Sequence, residues 1–302
     1  MLLLKSIALD VGFLKLKKIG IWWKFVFITT KYLALIPNLF GKESYLNIAK
    51  VRFNTRNLSD IGTLQSSIID TYSELVIKGE DYNGKIVIDV GSNVGQFACA
   101  IKIFWPDAIV HCFEPDPIVY KALETNLSQF ENVELNNVGV GAEKGILPFY
   151  VNEISLMSSF MPWDGAEETA VSIKPISIVT LNEYGKDLSR IGLLKIDVEG
   201  FEKEVFEGAK DLLPRTEAIL FELSIGRSGD SANLELLSQI YDLDKGFMIS
   251  QIGRPLMING KVACQDFFLI NNGLRKKSLF SGFAPTEESV SGNRLESQIN
   301  NP

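Results

Sequence analysis

The sequence predicts a doubly wound α/β fold, in which a mostly parallel sheet carries helices on both faces. Beyond Lys85, apolar segments of strand length alternate with segments of helical periodicity. Continuous apolar strands are typical of parallel sheets that are buried on both faces. The regular alternation of strands and helices favours the same layered arrangement. A chain of 302 residues is long enough for one such domain with appendages.

The first 50 residues are predicted to form an apolar and basic helical extension. Residues 19–36 are strongly apolar, but Lys24 and Lys31 interrupt them. A membrane-spanning helix needs about 20 mostly apolar residues, so we expect no span here. The apolar helical stripe favours packing on the domain or on a second subunit. The alternative is peripheral membrane contact through residues 1–40, as a basic amphipathic helix on the membrane surface.

The next elements follow from turn and capping signals. Residues 42–82 are expected to form a helical and irregular lead-in that ends near the turn signal Asn83-Gly84. Asp116 can cap the N-terminus of a later helix, and Pro117 suits the first position of that helix. The strands and helices predicted in this part are, in order, KIVIDV, residues 94–105, AIVHCFE, DPIVYKALETNL and NVELNNVGV.

Residues 146–180 interrupt the alternation with two predicted strands, ILPFYVN and SIKPISIVT, around a loop that holds Met157 to Asp164. The elements that follow are the strand LLKIDV, the helix GFEKEVFEGAKDL, the strand AILFELS and the helix ANLELLSQIYDL. Glu202, Glu204 and Glu207 are interpreted as the solvated face of the first of these helices. The segments GFMISQIG and CQDFFLIN predict a closing antiparallel hairpin. The α/β domain therefore spans residues 51–273, and the polar tail 274–302 is predicted to be disordered.

Composition excludes several functions. The net charge of −7 disfavours tight binding to nucleic acid, because phosphates demand a basic surface. Cys99, Cys112 and Cys264 are widely spaced, which predicts core residues in a reducing compartment rather than a zinc site or disulfides. The single histidine, His111, lies mid-strand without a G-x-S-x-G elbow, so serine hydrolase chemistry is not expected. Because no small-residue cleavage site follows the N-terminal apolar segment, we expect a cytoplasmic protein or one peripheral to the inner membrane surface.

A glycine turn follows the first strand of the domain, from Asp89 to Gly95. Ligands of open parallel sheets bind beyond the carboxyl ends of the strands, where this turn lies. Gly91 and Gly95 allow tight backbone geometry and the close approach of a ligand. Glu114 ends the next strand, 25 residues after Asp89. A phosphate-binding P-loop would need a Lys-Ser/Thr pair, and the G-x-x-x-G spacing found here does not fit the G-x-G-x-x-G of a dinucleotide site.

The acid at the strand end favours a cationic cofactor. Asp89 would repel a pyrophosphate but would attract the sulfonium and ammonium groups of S-adenosylmethionine. Glu114 could accept hydrogen bonds from the two ribose hydroxyls, and Pro115 and Val138 would contact adenine. This pattern predicts S-adenosylmethionine as the cofactor. The alternative is a glycine-rich turn in another doubly wound protein, such as an NAD(P)-dependent oxidoreductase of Rossmann type.

A second group of charged residues accompanies the strand LLKIDV. Lys195, Asp197 and Glu199 lie within five residues of one another at the end of this strand. Strand alternation places Lys195 and Asp197 on the same side of the sheet. A ligand site at the strand end is favoured over the alternative, in which these acids only interact with the dipole of the following helix.

With these residues, the sequence resembles the FkbM family of class I methyltransferases. The resemblance rests on IDVGSNVGQF, FEPDP, LLKIDVEGFEKEVFEGA and LFELS, and it spans about residues 56–271. It implies a seven-stranded sheet with a reversed final hairpin, and methyl transfer from S-adenosylmethionine, usually to a hydroxyl of a sugar or natural product. The cofactor-binding positions that it implies are Asp89, Gly91, Ser92, Asn93, Gly95 and Glu114. The positions that it implies for the acceptor side are Asp197, Glu199 and Glu222.

The implied reaction needs a base for the proton of the acceptor hydroxyl. Asp197 is the first candidate and Glu222 the second, while Lys195 could neutralise Asp197 or bind the acceptor. The carboxylates could also hold Mg²⁺, although nothing in the sequence requires a metal. The acceptor would be a small molecule or a glycan, and the non-enzymatic alternative is a scaffold that binds a partner. The residues that either stack on an acceptor sugar or cover the sheet edge are Phe149, Tyr150, Phe160, Met161 and Trp163.

Overall fold

The computed structural model describes residues 2–40, 42–152, 158–160, 172–224, 236–237, 240, 246–253, 255–258 and 261–274. The predicted loop from Met157 to Asp164, the predicted helix ANLELLSQIYDL and the predicted disordered tail lie wholly or mostly outside these residues. No helix within the described ranges is long and apolar enough to cross a membrane.

The N-terminal extension consists of two helices, α1 (Leu2–Leu14) and α2 (Ile21–Leu39), followed by an antiparallel hairpin. The hairpin strands are β1 (Ser44–Ile48) and β2 (Val51–Thr55), and helix α3 (Leu58–Thr71) follows them. The prediction of a helical and irregular lead-in over residues 42–82 therefore missed a hairpin. The hairpin turn consists of Ala49 and Lys50, which have φ values of 47° and 71°. Hairpin turns with this backbone usually contain Asn-Gly or Asp-Gly, so the sequence carried no turn signal. The domain boundary expected at residue 50 falls within this turn.

The α/β alternation begins with β3 (Ile86–Val90) and continues through α4 (Gln96–Phe104), β4 (Ile109–Phe113), α5 (Pro117–Leu127) and β5 (Val133–Asn136). The strands β3, β4 and β5 pair in parallel. The Asp116 carboxylate accepts a hydrogen bond of 2.8 Å from the Ile118 N–H, which confirms the predicted helix cap.

The insertion forms a small separate sheet of β6 (Gly139–Val140), β7 (Gly145–Val151) and β8 (Ser172–Val179), in the order β6-β8-β7. The two predicted strands of the insertion are thus confirmed. The segment NVELNNVGV, however, is not one strand, because β5 and β6 belong to different sheets. The backbone leaves the main sheet between them, where Asn137 donates a side-chain hydrogen bond of 2.8 Å to the Glu114 carbonyl.

The second half contains α6 (Leu181–Tyr184), β9 (Ile191–Ile196), α7 (Glu202–Glu207), β10 (Ala218–Ser224), β11 (Phe247–Ile252), β12 (Leu256–Ile258) and β13 (Lys261–Asn271). The main sheet has the order β11-β13-β10-β9-β3-β4-β5, and β12 adds to β13 outside this path. β13 runs antiparallel to both of its neighbours, β10 and β11. These seven strands confirm the predicted doubly wound, mostly parallel sheet with a reversed final hairpin.

Two apolar clusters cover the two faces of this sheet. Val87 and Leu193 belong to one cluster, and the next residues along the same strands, Ile88 and Leu194, belong to the other. The rings of Phe13 in α1 and Phe27 in α2 lie in the first cluster. Burial of each such ring contributes about 1.5–3 kcal/mol. The N-terminal helices therefore pack on the domain, which is the interpretation that the apolar stripe favoured.

A buried polar network joins the first three helices. The Lys31 ammonium lies 2.6 Å from an Asp10 carboxylate oxygen and donates to the side-chain oxygen of Gln65 at 2.8 Å. Tyr32 donates to the other Asp10 oxygen at 2.7 Å. Burial alone would raise the pKa of Asp10, but these hydrogen bonds lower it below the usual range. The network ties α1, α2 and α3 together.

The residues that the sequence assigned to the core are found there. Cys99, Cys112 and Cys264 are buried thiols. His111 is buried in β4, and its Nδ1 lies 2.6 Å from the hydroxyl of Tyr184. Burial lowers the pKa of His111, so this ring is neutral at physiological pH.

Candidate active site

The glycine turn after β3 has a left-handed backbone at three positions. Gly91, Asn93 and Gly95 have φ values of 79°, 48° and 92°. A Cβ at Gly91 would overlap the carbonyl oxygen of Asp197, so only glycine fits there. Asparagine is among the few residues other than glycine that adopt this conformation readily, which fits Asn93.

Lys195 holds three parts of the site together. Its ammonium lies 3.1 Å from Asp89 and 3.4 Å from Asp197, and it donates to the Gly91 carbonyl at 2.9 Å. Burial alone would lower the pKa of Lys195, but the two carboxylates raise it above the usual lysine value. The lysine is therefore charged, and it links the ends of β3 and β9 to the glycine turn.

Asp89 is enclosed within the protein at the carboxyl end of β3. Its side chain is fully buried, pairs with Lys195 and lines neither of the two cavities at this end of the sheet. The sequence placed Asp89 against the cationic cofactor, and direct contact with a cofactor stays a prediction. Asp89 acts on the site through Lys195.

The first cavity, named here the β4-side cavity, is apolar with acids at its edge. Its described lining contains no lysine, arginine or histidine. The residues that line it are Val90, Gly91, Asn93, Phe113, Glu114, Pro115, Val138, Gly139, Val140, Phe149, Ser158, Phe160, Asp197, Val198 and Glu199. This set includes Glu114, Pro115 and Val138, the residues expected to contact ribose and adenine.

Glu114 is fixed by the backbone on both of its carboxylate oxygens. The N–H groups of Asn93 and Asp116 donate to these oxygens, each at 2.9 Å. Burial raises the pKa of Glu114 to about 7, although these hydrogen bonds oppose the shift. Each oxygen keeps a lone pair, so the carboxylate can accept two further hydrogen bonds.

The second cavity, named here the α3-side cavity, has a volume of about 300 Å³ and is lined mostly by residues with polar or charged side chains. Its acidic lining residues are Asp70, Glu74, Asp197, Glu222 and Asp266, and its hydroxyl and amide residues are Thr63, Ser66, Ser67, Thr71, Ser92, Asn93 and Gln96. Lys195 is the one basic residue in the described lining, and its charge is already shared by Asp89 and Asp197. The cavity is therefore negative.

The carboxyl groups of the α3-side cavity raise one another's pKa. Burial, followed by the charges of Asp266 and Asp70, raises the pKa of Glu74 to about 7. Burial and the charge of Asp197 raise the pKa of Asp266 to about 6 and place that of Glu222 well above the usual range. Glu222 and Asp266 stand directly opposite each other on β10 and β13. Like charges in this arrangement destabilise a sheet, which points to a ligand rather than to stability.

The two cavities meet at Gly91, Asn93 and Asp197, which line both. Carboxylate oxygens of Asp197, Glu199 and Glu222 lie within 4.8 Å of one another at this junction. Such oxygens could hold a divalent cation such as Mg²⁺, or share a proton. The structure thus brings together the three acids that the sequence placed on the acceptor side.

Two residues hold the loop that carries Asp197 and Glu199. Sequence reasoning missed Ser159 and placed Glu202 wrongly on the surface. Glu199 has a left-handed φ of 56°, and the Ser159 hydroxyl donates to its carbonyl at 2.8 Å. Glu202, interpreted from the sequence as solvated, is fully buried, and its carboxylate accepts from the Gly200 N–H at 2.8 Å. Helix α7 has only six residues, so its helical pattern was too short to show which side faces inward. Burial raises the pKa of Glu202 to about 7.

Two predicted cofactor positions and the insertion aromatics have structural roles. Ser92 donates its hydroxyl to the Asp89 carbonyl at 2.8 Å and lines the α3-side cavity only. Gly95 lines neither cavity, and a Cβ there would press on α5. Phe149 and Phe160, whose ring centroids are 4.7 Å apart, form a wall of the β4-side cavity. Met161 and Trp163 lie outside the described residues.

Sequence reasoning did not find Asp70, Glu74 and Asp266. Asp70 lies near the end of α3, Glu74 lies in the π-helical turn Tyr72–Val76 that follows, and Asp266 lies in β13. None of these residues follows the end of a parallel strand, as the acids predicted from the sequence do. Two features could have identified these acids: the pairing of Glu222 with Asp266 on neighbouring strands, and the polar side of α3. Both can be recognised only once the fold is known.

The reversed strand β13 in a parallel sheet, with a glycine turn and acids at the strand ends, defines a class I methyltransferase of Rossmann-like fold. The sequence pattern of the Methyltransferase FkbM domain matches residues 89–247, which is more than half of the chain. The chain belongs to the FkbM methyltransferase family.

Curated relatives share part of their length with this chain. "Methyltransferase sdnD" of Sordaria araneosa is 31% identical over 41% of this chain and 60% of its own length. "31-O-demethyl-FK506 methyltransferase FkbM" of Streptomyces tacrolimicus is 29% identical over 46% of this chain and 65% of its own length. "Hexuronic acid methyltransferase AglP" of Haloferax volcanii is 29% identical over 47% of this chain and 56% of its own length. The chain thus matches less than two thirds of each of these relatives.

Proposed function

We propose that this protein transfers a methyl group from S-adenosylmethionine to a hydroxyl of a polyhydroxylated acceptor that carries no negative charge. The observation that carries the proposal is the junction of two chemically different cavities at one carboxylate, Asp197. A methyltransferase must hold donor and acceptor on either side of the point of transfer.

The β4-side cavity fits the cofactor. Glu114 has lone pairs for the two ribose hydroxyls, and Phe113, Pro115 and Val138 offer an apolar surface for adenine. The described lining contains no cationic side chain, which suits a cofactor without phosphates. Asp197 and Glu199 supply negative charge where the cationic end would lie. The same features disfavour NAD(P), whose pyrophosphate would meet carboxylates and no counter-charge.

The α3-side cavity suits a hydroxyl-rich acceptor. Its hydroxyl and amide side chains can exchange hydrogen bonds with several acceptor hydroxyls, as sugar-binding sites do. Its five acids attract an amino group and repel a carboxylate or phosphate on the acceptor. A neutral sugar or an amino sugar therefore fits better than the hexuronic acid named for the Haloferax relative.

The residues at the junction have separate roles in this proposal. Bound S-adenosylmethionine supplies a methyl group that is already activated by the positive sulfur. Asp197 accepts the proton of the acceptor hydroxyl while the new C–O bond forms and the C–S bond breaks, which typically contributes about 10²–10⁴-fold to the rate. Lys195 fixes the position of Asp197. Glu222, within 4.8 Å of Asp197 and Glu199, can receive the proton afterwards.

Calorimetry with the purified protein tests the cofactor. We expect S-adenosylmethionine and its demethylated product to bind, and NAD⁺ and ATP to fail to bind. Tight binding of NAD⁺ or ATP without binding of S-adenosylmethionine would refute the proposal.

Mass spectrometry of neutral glycans, amino-bearing glycans and uronic-acid glycans after incubation tests the acceptor class. Methylation should appear in the first two groups. Asp197→Asn should lower turnover by at least about 10²-fold, which is more than it lowers the affinity for the cofactor. The exposed Asp187 provides the matched control Asp187→Asn, which should keep full activity. Undiminished turnover in Asp197→Asn would exclude Asp197 as the base.

A further inference from the structure

Helix α2 exposes apolar residues and buries its charged ones, the reverse of an ordinary surface helix. Its two lysines, Lys24 and Lys31, face the protein and are buried. The residues on its opposite side recur every three or four positions, and none of them is charged. This side, named here the outer face of α2, consists of Ile21, Trp22, Phe25, Thr29, Tyr32, Leu33, Ile36 and Phe40.

The inner lysines are fully engaged within the protein. Lys24 donates to the Leu14 carbonyl at 2.8 Å, in the last turn of α1. Lys31 is 2% exposed and bonds to Asp10 and Gln65. Neither lysine can therefore supply charge to the outer face. A helix that is apolar on both sides is typical of a helix that is covered on both sides.

The outer face is large and well exposed. Trp22 is 66% exposed and Phe25 is 62% exposed, and their ring centroids lie 6.1 Å apart. Leu33, Ile36 and Phe40 extend the exposed surface to the other end of the helix. Single exposed apolar residues are ordinary on a protein surface, but a continuous stripe of them marks an interaction site.

Exposed lysines stand at both ends of this stripe. Lys15, Lys17 and Lys18 precede α2, and Lys42 follows Phe40 by two residues. Residues 1–50 contain eight lysines against one aspartate and one glutamate, within a chain whose net charge is −7. Positive charge is thus concentrated beside the apolar stripe. A tryptophan, an apolar face and flanking lysines are the features by which a helix lies on an anionic lipid surface.

We propose that the outer face of α2 docks on an anionic lipid bilayer surface, with the helix lying in the plane of the interface. The apolar side chains enter the boundary between head groups and acyl chains, and the flanking lysines contact anionic head groups. A second copy of the same face would cover the apolar residues but would bring no negative charge to the lysines. Charge complementarity therefore favours lipid.

Vesicle flotation with the full chain tests this surface. The protein should float with vesicles of phosphatidylcholine that contain phosphatidylglycerol, and should float poorly with pure phosphatidylcholine. High salt should weaken binding, because the Debye length shrinks from about 10 Å at 0.1 M to about 3 Å at 1 M. Lys17→Glu with Lys18→Glu should weaken binding in the same way.

The apolar contribution is tested by Trp22→Ser with Phe25→Ser. Two exposed rings that no longer enter the bilayer should lower the bound fraction by at least about tenfold. Ile146 on β7 is 70% exposed and lies outside this face, so Ile146→Ser is the matched control and should bind as the unchanged protein does. Circular dichroism verifies that each variant is folded.

Two results would overturn the proposal. One is the absence of flotation with anionic vesicles. The other is a dimer in light scattering that Trp22→Ser with Phe25→Ser converts to a monomer, together with vesicle binding that these changes leave unaltered. The second result would assign the outer face of α2 to a second copy of the chain.

Discussion

At the scale of single residues, Lys195 is the side chain on which most of the site geometry depends. It is the charge partner of the fully buried Asp89, and it also contacts Asp197 and the carbonyl of Gly91. The sequence predicted that Lys195 could neutralise Asp197, but it did not predict the pairing with Asp89. Strand alternation shows that Lys195 and Asp197 share a side, whereas the Asp89–Lys195 contact depends on the register between β3 and β9.

Removal of this lysine should destabilise the protein as well as the site. Lys195→Met leaves the Asp89 carboxylate buried without a counter-charge, and a loss of about 3–5 kcal/mol in the free energy of unfolding is expected. Urea denaturation measures this loss. Asp89→Asn added to Lys195→Met should restore much of the stability, since the buried charge is then gone. The exposed Lys186 gives the control Lys186→Met, and an equal effect of both substitutions would contradict the pairing.

Gly91 and Gly79 provide a matched comparison, because both have a φ of 79°. Alanine at Gly79 meets no heavy atom within 4 Å, so Gly79→Ala should cost only the left-handed backbone strain of about 1–2 kcal/mol. Alanine at Gly91 would also overlap the Asp197 carbonyl. Gly91→Ala should therefore destabilise the protein more and weaken the binding of S-adenosylmethionine, as measured by denaturation and calorimetry. Equal effects at both positions would show that backbone strain alone explains the need for glycine at position 91.

At the scale of elements, α3 and β13 contribute most of what the sequence could not show. The glycine turn and the acids at the ends of β4, β9 and β10 could be predicted, because each follows directly from a strand in the chain. The acids of α3 and β13 reach the same cavity only through tertiary packing. Three acids of this cavity, Asp70, Glu74 and Asp266, lie outside residues 89–247, the part that matches the family pattern. Acceptor preference in this chain is thus expected to depend on elements beyond the shared part.

Neutralising these acids should change the acceptor preference. Glu74→Gln with Asp266→Asn removes two of the five acids from the α3-side cavity. Measured at about pH 8, where both acids are ionised, it should raise kcat/KM for a uronic-acid glycan relative to a neutral glycan by about tenfold. Competition between the two glycans, followed by mass spectrometry, measures the ratio. The control pair Glu131→Gln and Asp211→Asn removes the same charge at exposed positions. An unchanged ratio would mean that the acceptor does not enter this cavity.

The hairpin of β1 and β2 shows a different limit of sequence reasoning. Its buried residues, such as Leu46, Ile48 and Phe53, alternate as a strand requires. Each strand has only five residues, and Ala49-Lys50 is not a turn signal. Short strands that are not bounded by turn-forming residues cannot be distinguished from irregular structure by the local sequence pattern.

At the scale of the whole molecule, buried carboxyl groups should make stability depend on pH. The pKa values of Glu74, Glu114 and Glu202 are raised to about 7, mainly by burial. Between about pH 5 and 7 the folded protein therefore holds protons that the unfolded chain has released, so stability falls as pH rises. Thermal unfolding should show a midpoint that decreases over this range. Glu222→Gln should flatten the decrease, because it removes one raised carboxyl and its repulsion of the others.

A stability that rises with pH between about pH 5 and 7 would contradict the raised pKa values of these carboxyl groups. Such a slope would mean that the carboxyl groups are ionised in the folded protein and are held by partners or bound cations. Repeating the melts with S-adenosylmethionine present separates the contribution of Glu114, which would then be hydrogen-bonded to ribose.

The position of β13 has a consequence for biosynthesis. This strand lies between β10 and β11, so the sheet remains divided until the ribosome has released the chain as far as Asn271. Before that moment the mostly apolar strand β10 has an unpaired edge with unsatisfied backbone groups, and such edges pair with other chains and promote aggregation. Translation that stalls or stops shortly before β13 should therefore yield insoluble product, whereas a stop after residue 274 leaves every strand paired as described.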